Sequence, residues 1–286
     1  MIGIIARAAG AVALIACAGP ASAGALSYVS VSGVNTGDCA NPKQPCRSIA
    51  YAVTQTTAGG EIKALTAGDL GSATISKSLT LTGVPGATIF ATAATPAINI
   101  SAGTTGVVVI TGFTFNGLGT GQTGVRVASA GSLVLRDCAI KNFTLAGVQL
   151  KSTTAMKFSI EDSFIANTHY GVQIDKTGAG SATGVIHRST IIGKGTSGIG
   201  VFLTESANAR VSDSLIGHFE FGIYSGASPG NVLRLTRNTV SQNVKGVYVE
   251  RDVGAVAETA HDNFVAGNTT DIDAVNGAPL TNVGTQ

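Results

Sequence analysis

Between residues 132 and 150 the chain reads SLVLRDCAIKNFTLAGVQL, and variants of this unit recur along its length. Aligned on one aliphatic position, the anchors are Ile140, Ile165, Ile191, Ile216, Val240 and Val265, with spacings of 25, 26, 25, 24 and 25 residues. A glycine column, Gly124, Gly147, Gly171, Gly198, Gly222 and Gly246, steps by 23, 24, 27, 24 and 24. A fixed period in this range denotes a solenoid, and it limits the possible folds more than any other feature of the chain.

Within each unit the apolar residues alternate with polar ones in three short segments, which is the signature of strands with one face turned inward. No amphipathic helical run appears in the units, so leucine-rich and helical repeats are excluded. Two further inward columns flank the anchors: Leu135, Ile160, Ile186, Val211 and Leu235 on one side, and Val148, Val172, Ile199, Ile223 and Val247 on the other. β-Branched side chains dominate them, as strands prefer. One unit per turn lets each strand pair with its copy in the next coil, about 4.8 Å along the axis. The expected fold is therefore all-β, a parallel β-helix, right-handed because β-crossovers are. Two residues before the anchors stand Cys138, Ser163, Ser189, Ser214, Asn238 and Asn263, an inward column of small polar groups able to bond along the stack. Three residues before them stand Asp137, Asp162, Arg188, Asp213, Arg237 and Asp262, an outward column whose mostly alternating signs suit ion pairing between coils. Asn142, Asn167, Asn243 and Asn268 follow the anchors and are expected in left-handed bends, which asparagine tolerates.

Residues 1–23 read as a secretory leader: Arg7, a short apolar core, then Ala21-Ser22-Ala23 as a cleavage site. The competing reading is a lipobox at Leu14-Ile15-Ala16-Cys17, which would lipidate Cys17. The expected location is secreted or periplasmic, with no transmembrane segment, since the leader is too short to span a bilayer. Only 12% of residues are charged, about half the usual share. The net charge of +2, with no basic stripe, excludes nucleic acid as a partner class.

Residues 24–78 differ from the repeats and are expected to form an N-terminal cap. Cys39 and Cys46 are expected to pair as a local disulfide in an exported chain, a metal pair being unsupported by any second Cys or His cluster. Arg47 to Gly60 reads as one short helix, capped by Ser48, with Ile49, Ala52 and Val53 on one face and Gly59-Gly60 at its end. Residues 79–286 form the coils, weakening toward the C-terminus.

The segment from Pro45-Cys46-Arg47-Ser48-Ile49 through Gly59-Gly60-Glu61-Ile62 to Ile75-Ser76-Lys77-Ser78-Leu79 resembles the N-terminal cap of right-handed β-helix proteins of the pectin-lyase-like superfamily, and is similar to secreted bacterial members of unestablished activity. With the coils, the resemblance covers about residues 28 to 275. It implies the fold and a helix over the N-terminal end of the stack. It does not imply one activity, because that superfamily hosts lyases, hydrolases, esterases, epimerases, adhesins and inert scaffolds. The acidic calcium cluster and arginine signature of its lyases are not found here. Of the polygalacturonase motifs NTD, DD, GHG and RIK, only Asn238-Thr239-Val240 comes near one, and it lacks the acid.

The side chains left for chemistry are sparse. His169, Arg188, His218 and Glu220 are the candidates for acid–base work, against a default of ordinary surface residues. Tyr224 and Tyr248, adjacent in their column, are the candidates for saccharide contact. No metal and no cofactor is expected. The function this supports is an exported scaffold binding carbohydrate or cell-surface material. The alternatives are a polysaccharide lyase or glycoside hydrolase with an atypical site, and a purely structural or adhesive surface protein. An acid, a base and an arginine converging in one cleft would favour the enzyme, whereas a face of tyrosines and amides would favour binding. The oligomeric state is left open.

Overall fold

The computed structural model describes residues 24–282 apart from 176–177, 179, 227, 229, 251–255, 261 and 276–279. The expected leader, its cleavage site and Cys17 lie outside the described residues. Each regular coil contributes one strand to each of three parallel sheets. In the coil at residues 132–150 these are Ser132–Arg136, Ala139–Lys141 and Ala146–Leu150. We term the sheets A, B and C in that order; among the described residues they hold eleven, nine and nine strands.

Register confirms the stacked columns. Ile140, Ile165, Ile191, Ile216, Val240 and Val265 pair in succession through sheet B. Leu135, Ile160, Ile186, Val211 and Leu235 do so through sheet A. From Ile140 to Val240 the anchors are fully buried. In sheet C the register differs from the even-spacing expectation. Val172 pairs with Val201, not Ile199, and Tyr170 pairs with Ile199. The coil there carries three more residues ahead of the strand than the coils on either side, so Gly200, not Gly198, continues the glycine column. Gly198 takes up the extra length with a left-handed φ of 83°.

The glycine column has a packing cause. Its members at 124, 147, 171, 200, 222 and 246 lack a positive φ. A Cβ at Gly147 would lie 2.5 Å from Ile165 Cγ2, and one at Gly171 would lie 2.3 Å from Ile191 Cγ2. The anchor of each coil thus fills the space that the glycine leaves empty. Two consecutive residues, Gly147 and Val148, can then face inward, which turns both flanking positions outward.

The inward polar column forms a continuous ladder. The backbone N–H of Cys138 donates to Ser163 Oγ, Ser163 to Ser189 Oγ, Ser189 to Ser214 Oγ, Ser214 to Asn238 Oδ1 and Asn238 to Asn263 Oδ1, at 2.9–3.3 Å. Each side chain satisfies a buried N–H that the bend removes from the sheet ladder. The bend itself falls one residue earlier, at Asp137, Asp162, Arg188, Asp213 and Arg237, all with φ of 44–52°. Aspartate suits that conformation; arginine is held in it by its pairing. Arg188 and Arg237 each reach one coil back, to Asp162 and Asp213, with paired hydrogen bonds of 2.7–2.9 Å. After the anchors, Asn142, Asn167, His218 and Gln242 take the left-handed bend. Asn243 and Asn268 do not. They occupy the next position, which Phe143 and Phe219 fill elsewhere, and their amides accept from the N–H groups of Phe219 and Asn243.

The helix α1 (Ile49–Gln55) is capped by Ser48, whose Oγ accepts from Tyr51 N, and buries Ile49, Ala52 and Val53. It ends earlier than glycine placement suggests, because strand Thr56–Ala64 starts at once and pairs with Gly24–Val29. Cys39 and Cys46 form a disulfide. Cys138 is free and buried. Among the described residues no helix is long and apolar enough to cross a membrane.

Candidate functional site

The outer face of sheet C differs from the other two in chemistry. Its central column is the residue between two inward aliphatics in each strand, as Arg126 is between Val125 and Val127. By register the column begins Thr74, Asn99, Arg126, Gln149, Gln173 and continues Phe202, Tyr224, Tyr248, Asp273. Toward the helix-capped end it is thus polar, and toward the other end aromatic.

The polar half surrounds a cleft of about 520 Å³, lined by Ala50 of α1, Ser72, Thr74, Thr95, Asn99 and Arg126 among others. Gln149 donates through Nε2 to Gln173 Oε1 at 2.9 Å, and both are more than nine-tenths buried although they leave the outer side of the sheet. Arg126 sits between Asn99 and Gln149, and neither is an anion. Among the described residues its Nε is buried and has no hydrogen-bond partner, and on the same strand Thr123 Oγ1 is buried and unpartnered as well. A buried donor on a charged group without an acceptor is costly, by roughly 1–3 kcal/mol or more. Arg126 and Thr123 are therefore the two places on this strand where the protein does not complete its own hydrogen bonding.

In the aromatic half the rings engage one another. Tyr170 stacks on Phe202 at 5.5 Å and 24°, and Phe202 on Tyr224 at 5.0 Å and 21°. Phe221 stacks on Tyr224 at 5.2 Å, and Tyr248 meets Tyr224 edge-on at 4.8 Å. The faces of Phe202 and Tyr224 are covered by neighbouring rings, so the ladder offers sugars mostly edges. Tyr224 donates to Glu250 Oε2 at 2.5 Å. Burial first, and the Glu250 carboxylate second, push its phenol well above the usual tyrosine range. Lys245 Nζ lies 4.5 Å from the Tyr248 ring centroid and 2.8 Å from Asp273, whose carboxylate raises the lysine's pKa.

The acid–base candidates are spread out. His169 precedes strand Tyr170–Asp175 and packs edge-on against Tyr170 at 4.5 Å. Glu220 takes the equivalent position two coils on, about 10 Å away along the axis, and His218 forms the left-handed bend beside it, φ 62°. Arg188 lies on the bend joining sheets A and B, bound to Asp162 and contacting His187. The structure thus gathers His169, His218 and Glu220 along one edge of sheet C and puts Arg188 elsewhere. Tyr224 and Tyr248 are neighbours, as their spacing requires. Asn99, Arg126, Gln149, Gln173 and Phe202 escaped sequence reasoning. For all but Asn99, which stands in AINI, the signal is the third residue of Gly-Val-X-aliphatic, as in GVRV, GVQL and GVQI.

Among solved structures, the chain is similar to pectate lyase Pel9A, at 11% identity and TM-score 0.52, covering 82% of this chain and 61% of that one. It is also similar to an alginate lyase from Paenibacillus sp. str. FPU-7, at 16% identity and TM-score 0.50, covering 82% of this chain and 94% of that one. At these identities the likeness is one of fold. The family model "Right handed beta helix region" matches residues 97–270. Comparison with curated proteins gives no match.

Proposed function

The chain belongs to the right-handed beta helix family and has the pectin-lyase-like fold, and from that premise we propose that it is an exported scaffold that binds acidic carbohydrate on the outer face of sheet C without transforming it. One observation carries the reading: Arg126, whose Nε is buried and unpartnered among the described residues, lines a cleft rimmed by an amide and hydroxyls. A carboxylate of a polyuronate supplies the missing acceptor and the missing charge in a single group. Asn99, Thr74 and Thr95 are suited to sugar hydroxyls, since amides and hydroxyls both donate and accept. Those neighbours do not titrate near neutral pH, which favours binding over proton transfer. Pectate and alginate, the polymers in the names of the two similar lyases, are the first ligands to try.

The test is a titration of the mature protein with polygalacturonate and with alginate by calorimetry, alongside ultraviolet detection of unsaturated products and a reducing-end assay. Binding is expected without turnover, and Arg126→Gln is expected to weaken it about ten- to a hundredfold, as for the loss of a charged hydrogen bond. Turnover abolished by Arg126→Gln would establish the lyase alternative instead. Equal affinity in wild type and variant would remove Arg126 from the site.

A further inference from the structure

We infer that the sheet C cleft receives an end of the acidic glycan chain and not an internal stretch of it. This rests on the carbohydrate reading and adds a mode of recognition to it. The two ends of the face are unlike. From Arg126 toward the N-terminus the column runs through Asn99 to Thr74, and there sheet C stops. These two steps amount to about 10 Å, room for roughly two sugars. Beyond them stands α1, whose Ala50 lines the cleft as its end wall.

The wall is firmly set. Ser48 caps α1, and Asn35 Oδ1 accepts from the backbone N–H groups of both Arg47 and Ser48. Arg47 Nη1 donates to Asp69 O at 2.8 Å, tying the start of the helix to the first coil. Toward the C-terminus the described residues include no counterpart: Gln149, Gln173 and the aromatic ladder continue the face through further coils. A polymer lying along the axis with a carboxylate on Arg126 therefore meets further sheet face on one side and a helix in its path on the other.

Two size fractions of polygalacturonate, about ten and about a hundred sugars long, distinguish the modes by calorimetric stoichiometry, with the same pair prepared from alginate. End recognition predicts one protein per chain in both fractions, so that binding sites per sugar fall about tenfold in the long fraction. A constant number of sites per sugar would overturn the inference and leave the carbohydrate reading standing. Binding to neither fraction of either polymer would remove both. Ala50 is exposed on the helix, so Ala50→Trp extends the wall into the cleft without touching the core. It is expected to weaken the short fraction about tenfold with an unchanged thermal transition. Unchanged affinity in a folded Ala50→Trp protein would also overturn the inference.

Discussion

Gly147→Ala offers a direct test of how the coils interlock. The glycine has an ordinary φ, so alanine carries no backbone penalty there, and its higher intrinsic stability relative to glycine acts in its favour. Space alone opposes it. The new Cβ would lie 2.5 Å from Ile165 Cγ2 and 2.8 Å from Gly171 O. Carbon contacts settle near 3.5–4.0 Å, so about 1 Å must be found. Ile165 has little to give, because it is fully buried and held in register between Ile140 and Ile191. The strain therefore spreads over neighbouring coils of a densely packed interior. Overpacking of this kind costs about 1–3 kcal/mol, and the carbonyl contact places the expected loss near 2 kcal/mol. Urea unfolding followed by far-ultraviolet circular dichroism reads it as a lowered midpoint. Ile165→Ala alone should cost about 2–5 kcal/mol, and combining it with Gly147→Ala should cost less than the sum, because the Cβ enters the vacated volume. A single Gly147→Ala variant within 0.5 kcal/mol of wild type, or strictly additive losses in the double variant, would refute the interlocking account.

Acid should loosen the bend between sheets A and B in a defined window. Hydrogen bonds from Arg188 and Arg237 hold the carboxyls of Asp162 and Asp213 below the usual aspartate range. Their contribution is thus present above the unfolded pKa of about 3.9 and is lost as pH falls through the lower folded values. Urea midpoints in wild type are expected to fall below about pH 4 more steeply than in Arg188→Gln/Arg237→Gln; parallel profiles would contradict this. Cys138 is pushed up to about 12, chiefly by burial, so it should resist a disulfide reagent in the folded protein and react at once in denaturant. Rapid labelling of the native protein would show that the Ser/Asn ladder column opens.

The columns were legible because a solenoid repeats the same environment, and the same side chain solves it each time. Ile140 to Val265 and Ser163 to Asn263 could be aligned by period alone. What misled was any residue whose role depends on count more than on type. Three extra residues before Ile199 shift the register of sheet C, and their effect is visible only once Gly200 and Val201 are seen under Gly222 and Ile223. Asn243 carries the same residue type as Asn142, yet lies one position further from its anchor. A bend asparagine and an inward asparagine cannot be separated by identity. The site was harder to read for a related reason: the outer column of sheet C changes from amides and an arginine to aromatic rings along its length, so it shows no common residue type to align.

That variability also separates structure from function on sheet C. A column that serves only the fold pairs each residue with something compatible in the next coil, as Gln149 does with Gln173, Phe202 with Tyr224 and Lys245 with Asp273. The tyrosines that composition singled out belong to this class, since their rings and the Tyr224 hydroxyl are already engaged. Arg126 breaks the rule. It lies between two amides, and its Nε is desolvated without an acceptor among the described residues. Maintaining an unsatisfied donor on a charged group is a cost to folding that an anion bound at Arg126 would offset. The place where the ladder fails to satisfy itself is accordingly a better guide to the ligand than the place where it is richest in aromatic rings.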